Sequence, residues 1–368
     1  MRLIVMLLTA TASTVAASAA NAAPRFIANE YICAFGSSVA RGNVRAEAEQ
    51  AVRPSGGQLI HVYRTAIKGF AVKMPADGSN HIARIRASNA NVVGCERNQL
   101  MEVVLQGKPG GGTTQPAQVI DWGVTRVGGV GSPVSGRTAW VIDTGLDLDH
   151  PDLNVDSGRS RSFIRDTSPD DGNGHGSHVA GTIAARNNSI GVAGVAAGAT
   201  LVAIRVLDRR GSGSNADVIA GVDHVGANGL SGDVANMSLG GGVSTLLDTA
   251  VVNAASKGVR FVLAAGNSSE DANLHSPARA NGANVYTVSS FAKGDVWSSF
   301  SNFGNPPIDF AEPGSSIKST YKDAGYATLS GTSMAAPHLA GILMTSTLND
   351  GGAVSGDPDG EPDRIGVR

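Results

Sequence analysis

TAWVIDTG, residues 138–145, is a continuous apolar run that ends on a carboxylate, Asp143. An unbroken run of this kind reads as a strand buried on both faces, and the chain repeats the pattern on either side of it. Short apolar runs (ATLVAIRVLD at 199–208, DVANMSLG at 233–240, RFVLAAGN at 260–267, VYTVSSF at 285–291) alternate with helical stretches (GSHVAGTIAARNN at 176–188, ADVIAGVDHVGANG at 216–229, TLLDTAVVNAASKG at 245–258). Strands alternating with helices predict an α/β domain on a mostly parallel central sheet flanked by helices. In such sheets functional groups gather at the carboxyl ends of the strands, where Asp143, Ser238 and Asn267 fall.

Upstream the pattern changes. Across residues 24–105, YICAF, IHVYRTA, GFAVKM and NVVGCERNQLMEVV read as strands, and VRAEAEQAV and HIARIRASN as helices. This βαββαβ order predicts a small antiparallel sheet with two helices on one face. In the usual strand order of that fold the first and last strands are neighbours. Cys33 would then sit beside Cys95, and these are the chain's two cysteines, so a disulfide or two buried thiols are both open.

Residues 1–23 place one Arg before a short apolar run and then small residues ending Ala20-Asn21-Ala22, the layout of an export leader cut near Ala22 or Ala23. Export favours oxidised cysteines. No other stretch is apolar and long enough to span a bilayer. With 31 acidic and 29 basic residues among 368, charge gives no reason to expect nucleic acid as a partner. Residues 106–116, rich in Gly, Pro, Gln and Thr, read as an exposed linker open to proteolysis, and residues 351–368 as a solvated acidic tail.

Three stretches of the large domain, 117–350, carry candidate chemistry. Asp143 ends a buried strand, where a lone carboxylate is costly; by itself it could simply cap a turn. DGNGHGSHVAG, residues 171–181, holds His175 and His178 at a helix start. Zinc-binding helices space two histidines four apart with an acid nearby, and no Cys cluster supports a metal here. One reactive and one packed histidine remain. SGTSMAAPHLAG, residues 330–341, sets Ser333 among small residues at a helix N-terminus, where N–H groups favour an oxyanion; such a serine is otherwise an N-cap.

Taken together, VIDTG, GHGSHVAG and GTSMAAPHLAG resemble the subtilases, the secreted serine endopeptidases of the subtilisin and proteinase K type. The resemblance runs from about Ala117 to Leu343, and residues 24–105 resemble the family's inhibitory, ferredoxin-like α+β propeptide. It implies Ser333 as nucleophile, His175 as general base, Asp143 as its orienting acid and Asn267 as oxyanion donor. It implies that Gly211, Ser212, Gly213 and Ser238, Leu239, Gly240 grip an extended polypeptide as an added strand, with Ala264, Ala265 and Gly266 lining a roomy pocket of broad preference. It further implies a structural calcium held by the side chains of Gln118, Asp152 and Asn188 and the carbonyls of Arg186, Ile190 and Val192. Maturation would fall in the linker, giving a secreted monomer, extracellular or periplasmic.

Departures from the family pattern are Ser177 for the commoner threonine, Glu312 for alanine in AEPG (311–314), and a short stretch after Ser333, which implies a reduced final helical layer. A binding protein that kept the groove without the chemistry, or a processing peptidase with one partner, are the competing functions.

Overall fold

The computed structural model describes residues 24–77, 79–103, 106–112, 115–345 and 348–368; the expected leader lies outside them. The small domain runs β1 (Phe26–Phe35), α1 (Val44–Val52), β2 (Gln58–Tyr63), β3 (Gly69–Lys73), α2 (His81–Ser88), β4 (Val92–Val103), as its sequence predicts. Its antiparallel sheet has the order β4-β1-β3-β2. Because β1 and β4 are neighbours, Cys33 lies opposite Cys95 and the two are disulfide-bonded.

One face of this sheet is covered by its own helices. Val44, Ala48 and Ala51, a helix stripe, pack with Ile85 of α2 on Phe35, Phe70 and Val72. The other face carries Ile32, Tyr63, Ala71 and Met101, too apolar to stay wet. It packs on two helices of the large domain, α5 (Asn215–Asn228) and α6 (Thr245–Ala255).

After β5 (Gln106–Gly112) and the short α3 (Trp122–Arg126), the large domain is built on β6 (Thr138–Asp143), β8 (Thr200–Arg205), β10 (Val234–Met237), β12 (Arg260–Ala264), β13 (Val285–Ala292) and β15 (Ile308–Pro313). These pair in parallel in the order β15-β13-β12-β10-β6-β8, with β7 (Arg161–Ser162) at one edge and β14 (Val296–Trp297) a short antiparallel addition to β13. All of β6 is buried, as its unbroken apolar run predicts. Helix α4 (His175–Ala184) and helix α7 (Thr332–Met344) pack together on the opposite sheet face from α5 and α6, and both are buried all round, which their small residues permit. Two short strands, β9 (Ser212–Ser214) and β11 (Leu239–Gly241), and the hairpin β16 (Ile317–Tyr321) and β17 (Gly325–Ser330) complete the surroundings of the site.

Two stretches differ from the sequence expectation. Residues 351–368 are not a solvated tail. With the residues just before them they form a hairpin, β18 (Asn349–Ala353) and β19 (Arg364–Val367), and β19 adds in parallel to the edge of the sheet beside β15. Carboxylates that suggest solvent instead accept backbone N–H groups: Asp357 from Asp359 and Asp363, and Asp359 from Gly304 and Glu361. Val354 and Ile365 meanwhile bury themselves against Phe291 and Ala311. Within the linker, Gln106–Gly112 is likewise no irregular coil, since β5 pairs antiparallel with β17.

Candidate active site

Strand β6 delivers Asp143 into the interior, where its Oδ1 accepts the Thr144 N–H at 2.7 Å and lies 2.8 Å from His175 Nδ1. Both side chains are wholly buried. His175 is the first residue of α4, and the glycines around it are required by contact. A Cβ at Gly176 would lie 2.0 Å from the Gly145 carbonyl, and one at Gly174, already at φ +108°, would strike the Tyr321 ring. The loop before α4 is organised by Asp171, whose buried carboxylate accepts from the backbone N–H of Asn173, Gly174 and Ser177 and from the hydroxyls of Thr144 and Ser177. A carboxylate at a helix N-terminus also meets the positive end of the helix dipole.

His178, one turn along, points elsewhere. Its Nε2 lies 3.0 Å from the Ile317 carbonyl and 3.2 Å from that of Ala327, so it ties α4 to β16 and β17. Burial, reinforced by His175, depresses its pKa to about 3 and keeps it neutral.

Ser333 sits in the first turn of α7. Its Oγ donates to the Ser238 carbonyl at 3.0 Å, while Ser238 Oγ donates to the Ser333 carbonyl at 2.9 Å. That second bond has a cause in the sequence. Pro337 lacks the N–H that would otherwise close on the carbonyl four residues back, which is Ser333's. Asn236 in turn donates to Ser238 Oγ. Among the described residues no hydrogen bond joins Ser333 Oγ to His175 Nε2.

Asn267 follows β12. Its Oδ1 accepts from both the N–H and the hydroxyl of Thr332, the residue before Ser333, and Thr332 Oγ1 also accepts the Gly266 N–H. The amide orientation is thereby set, with the carbonyl end fixed to the start of α7. Ala264 and Ala265 are buried, and Gly266, at φ +112°, has no room for a Cβ because Asn302 Nδ2 would lie 2.3 Å from it. Asn302 donates to the Ala265 carbonyl and accepts from Ser268, fixing this loop.

The two segments Gly211–Gly213 and Ser238–Gly240 flank the end of β4. Met101 and Glu102 lie opposite Gly213 and Ser212 on one side, and opposite Gly241 and Gly240 on the other; Val103 lies opposite Leu239 and donates its N–H to Gly211. The chain's own strand is thus seated between them.

The residues of the implied calcium set also converge. Gln118 Oε1 accepts the Asn188 N–H, Asn188 Nδ2 lies 2.8 Å from Asp152 Oδ1, and Asp152 Oδ2 accepts from Val192. The carbonyl-bearing loop from Arg186 to Val192 wraps them, with Ile190 donating to Asn188 Oδ1.

Asp171, Thr332, Pro337 and Asn302 were given no role by the sequence. The first three lie inside the stretches DGNGHGSHVAG and SGTSMAAPHLAG, beside the residues they support, whereas Asn302 acts through a loop that only the fold brings to the site.

A family model described as the Subtilase family matches residues 136–347. The alkaline serine exoprotease A of Vibrio alginolyticus is 51% identical over 209 residues, which are 56% of this chain but 38% of that protein. The extracellular serine proteinase of Thermus sp. (strain Rt41A) is 39% identical over 311 residues, 81% of this chain and 70% of that protein. Subtilisin Savinase of Lederbergia lenta is 45% identical over 232 residues, 61% and 83% respectively. A solved structure of a cold adapted subtilisin-like serine proteinase matches with a TM-score of 0.57 at 42% identity, covering 66% of this chain and 96% of that one. With Asp143, His175 and Ser333 in that order on β6, α4 and α7 of such a sheet, and with more than half of the chain matched by the family model, the chain belongs to the subtilase family of serine peptidases.

Proposed function

We propose that the chain is a secreted serine endopeptidase made as a self-inhibited zymogen, with residues 24–105 as its inhibitor and folding partner. The observation that carries this reading is the seating of β4 between β9 and β11, main chain to main chain, with Val103 opposite Leu239, the neighbour of the Ser238 to which Ser333 donates. Strand addition grips a polypeptide without demanding a sequence, which suits broad specificity. The same groove would accept other polypeptides once β4 has left.

In the reaction, Ser333 Oγ leaves the Ser238 carbonyl and attacks a peptide carbonyl as His175 Nε2 takes its proton. Asp143 holds His175 in the tautomer with the proton on Nδ1 and stabilises the imidazolium that forms. The developing oxyanion lies at the start of α7, between the Ser333 N–H and the amide of Asn267. His175 then protonates the leaving amine, and water repeats the cycle on the acyl-enzyme.

Calcium fits the set Gln118, Asp152, Asn188 and loop 186–192, because a buried carboxylate accepts there from neutral donors, the Asn188 amide, the Val192 N–H and the Tyr326 hydroxyl. Turning the Asn188 amide would present oxygen in place of nitrogen. The ion would pin the start of the large domain and supply none of the chemistry.

A fluorophosphonate tests the catalytic reading directly. The matured protein should be labelled at Ser333 and should digest unrelated denatured proteins; an unlabelled Ser333 in a folded protein would mean the groove binds without cutting.

A further inference from the structure

We propose that the chain's own Gln106–Gly112, paired along the outer edge of β17 where the polypeptide following the cleaved bond would run, is a second inhibitory strand that outlasts the first cut. The inference rests on the zymogen reading above and extends it to the opposite side of Ser333.

Three observations carry it. The two strands approach Ser333 from opposite sides: β4 ends at Val103 on Gly211, and β5 starts at Gln106 opposite Ser330, three positions before the serine. A first cut that frees β4 from β5 therefore falls between Val103 and Gln106. Next, β5 follows β17 well past the site, with Gly110, Gly111 and Gly112 opposite Thr328, Ala327 and Tyr326. The irregularity between Gln106 and Gly110 contains Pro109, a residue with no N–H to give a ladder. Finally, the far end of this segment is anchored independently of the cut. Gly191 donates to the Pro116 carbonyl, Gln118 to Ser189 and Val119 to Gly191, so cleavage before Gln106 leaves β5 attached to the large domain.

A tether this short holds its strand at an effective concentration of order millimolar. The hold itself is weak. Glycine gives up the most backbone entropy on ordering, and the segment QGKPGGG grips through its main chain. The result is a competitor that a substrate displaces or a later cut within 106–116 removes. It should raise KM for substrates that continue past the cleaved bond, leaving kcat and upstream-only substrates unaffected.

The test uses the full chain, sampled by intact mass as it matures, beside a chain carrying Gly110→Pro and Gly111→Pro. Two substrates are compared: a quenched peptide with six residues after the cleaved bond, and a peptide p-nitroanilide with none. Immediately after the first cut, wild type should show a KM for the long peptide several-fold above that of the double variant. The gap should close as trimming proceeds, with identical p-nitroanilide kinetics throughout. Equal KM values on the long peptide, or a shift on both substrates, would overturn the inference. As a second measurement, the peptide QGKPGGG added to fully trimmed enzyme should compete against the long substrate alone, and no competition would also overturn it. Failure of both chains to cleave the p-nitroanilide would instead bring down the peptidase reading on which the inference stands.

Discussion

His175 and His178 share one helix, one turn and full burial, yet the structure gives them different work. His175 faces Asp143, while His178 serves two strand carbonyls and stays neutral. Its pKa of about 3, against about 6.5 in an unfolded chain, fixes the sign of a pH effect. The folded state refuses a proton that the unfolded state accepts, so this contribution is complete above pH 6.5 and drains away as pH falls towards 3. In an uncleavable Ser333→Ala background, denaturant titrations at pH 7 and pH 5 should show His178→Asn less stable at pH 7. Its further loss on acidification should be smaller than wild type's by about 2 kcal/mol. An equal loss would place the acid sensitivity elsewhere, with His338, also buried and depressed to about 4, the next candidate. Asn267→Ala should lose about 10²–10³ in kcat, measured on a peptide substrate, because the amide N–H would serve the oxyanion, and should also lose some stability because its Oδ1 no longer holds Thr332 at the start of α7. The positions of Asp143, His175, Ser333 and Asn267 at strand ends and helix starts were legible from the apolar runs beside them, while the roles expected of them came from the resemblance of three motifs taken together. Asn302 was not legible, because the loop groups it meets, Ala265 and Ser268, lie more than thirty residues away in the chain.

Among the elements, the edge beside β15 holds the account of Glu312, which the sequence left without a role. The side chain is fully buried against β19, and a Cβ at Gly366 would lie 2.6 Å from its Oε1. Burial raises its pKa well above the carboxylate range, with only partial relief from Arg126. A raised acid pKa reverses the sign found for His178: the cost is absent below the unfolded value of about 4.3 and grows as pH rises towards the folded one. Glu312→Gln should therefore raise Tm at pH 8 and leave it unchanged near pH 4; a lower Tm at pH 8 would show that the carboxylate is needed as an ion. At the loop 186–192, chelation should lower Tm in the wild type and have no effect in Asp152→Asn, whereas equal sensitivity would remove calcium from this loop. The buried strands β6, β8, β10 and β12 were legible from their apolar runs. β5 and β18 were not: QGKPGGG and NDGGA are built from residues that favour turns, and they become strands because an existing edge offers them a ladder.

At the scale of the whole molecule, the two domains meet through specific backbone groups as well as apolar surface. Asp223 of α5 accepts the N–H groups of Arg64, Thr65 and Ala66, Asn98 accepts the Ala216 N–H at the start of α5, and Glu96 accepts from Ser244 and Leu246 at the start of α6. The small domain thus satisfies helix ends that the large domain would otherwise leave to water. Both domains and their order could be read from periodicity and motifs; their docking could not, since Glu96 and Asn98 look like ordinary exposed strand residues until α5 and α6 are set beside them. On the proposed zymogen reading the chain cuts itself after β4, which is tested by expressing the full chain beside Ser333→Ala and following both by intact mass without reductant. The active chain should separate into a disulfide-closed small domain ending between Val103 and Gln106 and a shortened large domain, while Ser333→Ala keeps the two joined. Equal shortening of both chains, or an active chain that stays whole, would rule out self-cleavage.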